Sequence, residues 1–131
     1  MCVFCEIVKG NIPSYKLYED EDVLAILDIA QVTKGHTLVL PKKHFDSLLD
    51  ADTEVLQKMI PVIQNLAKQI REKTGCAGIN VLNNNGEAAG QSVSHLHFHI
   101  IPRYDENDAI VAEFRESGID VKESAKLLGI L

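Results

Sequence analysis

The sequence predicts an α+β domain with a mainly antiparallel five-stranded sheet, one long helix and short helices toward both ends. Three observations point that way. Five short runs of strand character, at residues 16–19, 23–27, 36–41, 78–82 and 94–101, are bounded by Gly, Asn, Asp or Pro turns. One longer run, residues 53–73, repeats apolar residues at helical spacing. The strands cluster on both sides of that helix in the chain. A chain of 131 residues fits one domain, residues 1–131, and 46% hydrophobic with 24% charged residues is the balance of a globular protein with a real core.

Residues 3–9 read as a short helix, ended by Gly10 and the Asn11-Ile12-Pro13 turn. The first two strands form a hairpin turned at Asp20-Glu21-Asp22, and the third follows the Lys34-Gly35 turn. A short helical piece at 45–49 precedes the long helix, in which Val55, Leu56, Met59, Ile60, Ile63, Leu66, Ala67 and Ile70 share one face. Pro61 cannot donate to the carbonyl of Gln57 and is expected to kink it. The fourth and fifth strands flank a Gly/Asn-rich loop. After Arg103 the chain is polar and poorly patterned until a helix at 121–128, so the core is expected at about 2–104 with a tail at 105–131.

No run approaches the length of a membrane span, and no basic region followed by an apolar stretch opens the chain, so neither a membrane segment nor a secretory signal is expected. Three cysteines are an odd count that suits a reducing compartment, hence a cytoplasmic location, better than a disulfide framework. A net charge of −6 with scattered Lys and Arg argues against a nucleic acid polymer as partner. A mononucleotide needs only a few local groups.

The chemistry concentrates in His95-Leu96-His97-Phe98-His99-Ile100-Ile101. On a strand, alternate side chains share a face, which would set the three imidazoles roughly 6.6 Å apart with Leu96, Phe98 and Ile100 opposite. Packing explains an apolar face but not three of the chain's five histidines on the other. Rings that titrate near neutrality can ligate metal, hold phosphate oxygens or act as nucleophiles. The preceding loop, Asn83 to Ser92, contributes Gly86 and Gly90, which permit positive φ. Small Ala88 and Ala89 let a ligand approach the backbone closely, and Gln91 and Ser92 add donors for phosphate oxygens.

This motif, with Asp28-Ile29, the segment 35–44 (Gly-His-Thr-Leu-Val-Leu-Pro-Lys-Lys-His) and Gly90-Gln91-Ser92-Val93 in the same order, resembles the histidine triad (HIT) family of nucleotide hydrolases and transferases, in particular its small bacterial branch. The resemblance spans about residues 2–104. It implies a HIT-like fold whose sheet continues across a homodimer, and a cleft for a purine nucleoside monophosphate or its phosphate-linked conjugates. It also implies hydrolysis of nucleoside 5′-phosphoramidates through a nucleotidyl-histidine at His97. His99 would supply a donor, with His36 supporting the triad. Asp28 and Ile29 would lie at the ribose, Asn84 near ribose or phosphate, and Gly90, Gln91 and Ser92 at the phosphate. Phe4, Ile7 and Leu38 would form the base slot, with ordinary core packing as the rival explanation. A dinucleoside polyphosphate hydrolase, which Pro102-Arg103 also resembles, and a nucleotide-binding regulatory module are the alternatives.

Cys2-Val3-Phe4-Cys5 is a C-x-x-C pair, and with His44 and His95 it makes a Cys₂His₂ set suited to tetrahedral Zn²⁺. Some members of the family hold zinc at these four positions, which would make the metal here structural. A redox dithiol and unliganded thiols are the other readings. Only Met1 precedes Cys2, whereas redox pairs follow a strand at a helix start. Cys76 stands apart.

Overall fold

The computed structural model describes residues 1–111 and 113–131. Its elements are α1 (Val3–Val8), β1 (Lys16–Glu19), β2 (Val23–Leu27), β3 (Thr37–Pro41), α2 (Thr53–Thr74), β4 (Gly78–Leu82), β5 (Phe98–Arg103) and α3 (Val121–Leu127), with one turn of 3₁₀ helix at Glu87–Ala89. The strands form one sheet in the order β1-β2-β3-β5-β4, antiparallel at every pairing. This is the α+β architecture the sequence predicts.

The sheet has a helix on each face, and the two-residue strand period assigns side chains to them. Val23, Ala25, Val39 and Ile100 point to one face and pack with Met59, Val62, Ile63, Leu66 and Ile70 of α2. Leu24, Ile26, Leu38 and Leu40 point to the other and pack with Phe4 and Ile7 of α1. Burial on both faces explains why β2 reads as an unbroken apolar run rather than an alternation. Helix α2 runs through Pro61 as one element and stops where Gly75 takes the left-handed conformation (φ 66°) that most side chains resist.

Five local expectations are corrected. Residues 45–49 are a turn, because the Asp50 carboxylate accepts from the amides of Ser47 (2.8 Å) and Asp46 (3.1 Å) and so competes with helical bonding. Ile60 is 53% exposed and Val62 takes its place in the core. The loop between β4 and β5 contains a helical turn. The fifth strand begins at Phe98 rather than residue 94, and the third at Thr37 rather than His36. His95 and His97 therefore lie on irregular chain, where His95 N–H turns back to the Val93 carbonyl (2.9 Å). Beyond β5, Phe114 and Leu127 are exposed. No helix among the described residues is long and apolar enough to cross a membrane.

Candidate functional site

The irregular segment before β5 does what a strand could not: it turns His95 and His97 to different tasks. Both rings are buried. Phe4, between the two cysteines on α1, meets both edge-on, at centroid distances of 5.8 Å to His95 and 5.0 Å to His97. His97 and His99 line a cleft of about 310 Å³ with Phe4, Ile7, Leu38, Asp28, Ile29 and Ser92. The cleft thus combines aliphatic and aromatic side chains with imidazoles and a carboxylate.

Hydrogen bonds fix which ring nitrogens carry protons. His97 Nδ1 lies 2.7 Å from the His95 carbonyl, which only accepts, so Nδ1 bears the hydrogen and Nε2 keeps its lone pair. Burial holds the His97 pKa below the usual histidine range, so the ring stays neutral near pH 7. A neutral imidazole with a free Nε2 is a nucleophile. His36 Nδ1 accepts from the Val32 amide at 3.3 Å, so its Nε2 donates across 2.9 Å to His99 Nδ1. His99 must then carry its proton on Nε2. Burial, and next the neighbouring His97 and His36, press its pKa to about 4, which leaves it a neutral donor. Asp28 stands 3.6 Å from His36 Nε2, and one of its oxygens accepts from Ala30 N–H at 2.8 Å.

The loop divides its residues differently from the sequence expectation. Ser92 lines the cleft. The Gln91 amide is turned inward instead, donating to the carbonyls of Asp46 (2.6 Å) and Val93 (3.0 Å) and accepting from Gly86 N–H (2.8 Å). Gln91 therefore shapes the loop rather than offering its side chain to a ligand. Gly90 has φ 96°, and the Asn84 amide lies 3.5 Å from where a Cβ at Gly90 would sit. Neither Asn84 nor Gly90 is part of the cleft wall. Two further residues at the site lie outside the sequence motifs: Asn83, whose amide donates to the His97 carbonyl (3.0 Å), and Asp46, which accepts from His44. A polar run just before a chemical motif is the only signal for the first.

Cys2, Cys5, His44 and His95 come together as one cluster with ligating atoms within 4.8 Å of one another. His95 Nε2 donates to the Pro41 carbonyl (2.8 Å) and His44 Nε2 to the Asp46 carboxylate (2.8 Å). Each ring thereby turns the lone pair of Nδ1 to the other, 3.2 Å away. The Cys2 and Cys5 sulfurs lie 3.3 and 3.6 Å from His95 Nδ1. Burial, then the neighbouring Cys2 sulfur, push the Cys5 thiol up to about 11. Two facing lone pairs beside two crowded sulfurs fit a cation, and the carbonyl and carboxylate behind the imidazoles are the supports metal-ligating histidines use.

With this geometry the comparisons with known proteins agree. A model of the HIT domain matches residues 9–106. The chain belongs to the HIT family. A crystal structure of a HIT family member from Bacillus subtilis superposes with a TM-score of 0.89 at 44% identity, covering 98% of this chain and 94% of that one. A zinc-bound histidine triad family protein from Mycobacterium smegmatis superposes at 0.77 with 43% identity, covering 97% of this chain and 89% of that one. The adenosine 5′-monophosphoramidase of Saccharomyces cerevisiae is 40% identical over 126 residues, 96% of this HIT chain and 77% of the yeast protein.

Proposed function

We propose that this HIT protein hydrolyses nucleoside 5′-phosphoramidates of the adenosine monophosphoramidate type. The carrying observation is the tautomer chain: a free Nε2 lone pair on His97 beside an Nε2–H on His99, both on the cleft wall. His97 Nε2 attacks the α-phosphorus and forms a P–N bond. The scissile P–N bond, its nitrogen already carrying a proton taken from solvent, breaks with the electron pair going to that nitrogen, which leaves as a neutral amine. His99 Nε2–H meanwhile donates a hydrogen bond to a phosphoryl oxygen. A water oxygen then bonds to phosphorus, its proton passing to solvent, and His97 departs as the neutral Nδ1–H imidazole, yielding the monophosphate. His36 keeps His99 in the required tautomer. Asp28 accepts from the ribose hydroxyls beside Ile29, and Phe4, Ile7 and Leu38 hold the purine. Ser92, on the cleft wall, serves the phosphate. The yeast relative's activity supports this reading.

The same reading gives Cys2, Cys5, His44 and His95 to a Zn²⁺ ion, supported by the facing lone pairs and by the zinc-bound relative. Four protein ligands leave no open position, so the ion is structural and ties α1 to the segment that carries His97. The domain works as a homodimer that covers an open edge of the sheet at β1 or β4. Three unpaired thiols suit a cytoplasmic setting. Turnover of a fluorogenic adenosine phosphoramidate, compared with diadenosine polyphosphates and with AMP binding alone, tests the proposal. Preference for the first supports it, preference for the second makes the chain a dinucleoside polyphosphate hydrolase, and binding without turnover makes it a regulatory module.

A further inference from the structure

The nucleophile lies outside the sheet, and something other than strand pairing must hold it. The β4–β5 ladder ends at Leu82 opposite His99. Continued in register it would set Asn84 opposite His97, but neither residue is in a strand. In place of a main-chain bond, the Asn83 side chain donates to the His97 carbonyl at 3.0 Å. Asn83 Oδ1 is held in turn by Asn85 Nδ2 at 2.7 Å, and Asn85 Oδ1 accepts from Leu48 N–H at 2.8 Å. Leu96 N–H, one residue before the nucleophile, bonds to the Phe45 carbonyl of the same turn at 2.7 Å.

From these bonds the geometry points to Asn83 and Asn85 as positioning residues that brace His97 against the turn at 45–50. Every donor and acceptor in the series is of fixed sense: an amide N–H, a carbonyl, an amide N–H, a carbonyl. Neither asparagine lines the cleft, so neither touches a ligand there. What they govern is the placement of the His97 main chain, and through it the contact between His97 Nδ1 and the His95 carbonyl that leaves Nε2 unprotonated. The turn they lean on also receives Gln91 and supports His44 through Asp46, so one short segment braces the loop, the cysteine cluster and the nucleophile together.

The inference deepens the hydrolase reading, but its test is chosen to stand apart from it. In the whole protein, ¹⁵N NMR of the imidazoles reports the tautomer of His97 directly. Wild type is expected to show the Nδ1–H form alone, and Asn83→Ala a mixture of both forms. Where phosphoramidate turnover exists, kcat should fall roughly tenfold to a hundredfold with KM within about twofold, since misplacement harms the reacting geometry more than binding. Asn85→Asp is nearly isosteric and still accepts from Leu48 N–H, yet cannot donate to Asn83. It should reproduce the tautomer mixture in a stably folded chain, and it decides the matter should Asn83→Ala fail to fold. Asn83→Ala/Asn85→Ala should be no worse than Asn83→Ala, because the bonds act in series. A single unchanged tautomer in folded Asn83→Ala or in Asn85→Asp overturns the proposal. Absence of turnover in wild type refutes the hydrolase reading alone and leaves the NMR result to judge this one.

Discussion

Acid should weaken this fold through His99, by an amount its surroundings set. The folded ring takes up a proton only near pH 4, whereas the ordinary histidine value is 6.5. Burial is the first cause, and His97 and His36 beside it are the next. Between those two values the unfolded chain holds a proton on this residue and the folded chain does not, so stability falls as pH falls. Above 6.5 the contribution is whole, and below about 4 it is gone. At about 1.4 kcal/mol per pH unit the full gap is worth about 3 kcal/mol, and the ring's partial exposure reduces that to about 1–2 kcal/mol. Urea unfolding of wild type and His99→Gln, both treated with chelator so that metal loss cancels, measures it from about pH 7.5 to about pH 3.5. The stability of wild type relative to His99→Gln should drop by that amount across the window and then level off. A difference that stays constant with pH refutes the argument.

His97→Ala should abolish turnover and leave AMP binding nearly intact, since the other cleft groups remain; retention of about a tenth of wild-type kcat removes His97 as the nucleophile. Asp28→Asn should weaken ribonucleotides by about 1–3 kcal/mol and deoxyribonucleotides less, and titration calorimetry showing equal losses would count against the ribose contact. Elemental analysis should find about one zinc per chain, lost in Cys5→Ser, and chelation should lower the melting temperature; metal-free wild type ends the zinc assignment. Light scattering should return about twice the chain mass of 14.5 kDa at micromolar concentration, and a monomer mass refutes the dimer.

Much of this fold is legible in the sequence, and the failures each trace to particular hydrogen bonds. The bounds of β1, β2 and β4 follow from turn residues on either side, and the four cysteine-cluster positions follow from ligand type and spacing together with the family resemblance. The start of β5 does not, because alternation at His95-Leu96-His97 mimics a strand. The segment is instead held by bonds to Phe45 and Asn83 that are distant in the chain. The turn at 45–50 is lost for a local reason instead: Asp50 competes for amides that a helix would use. Gln91 looks like a free donor until Asp46 and Val93 are seen to occupy it. Asn83 and Asn85 resemble ordinary loop residues, since nothing in composition says where an amide will point.

Because successive residues of β2 and β3 enter opposite layers, the sheet partitions the molecule. Val23, Ala25 and Val39 answer to α2, while Leu24, Ile26 and Leu38 answer to α1 and the cleft. Substitutions more than about 7–10 Å apart that share no partners combine additively. Substitutions on α2 itself, such as at Ile63 or Leu66, should therefore combine additively with substitutions on α1, such as at Ile7, across the sheet. Neighbours in the chain thus answer to different packing partners, one to α2 and the next to α1 and the cleft.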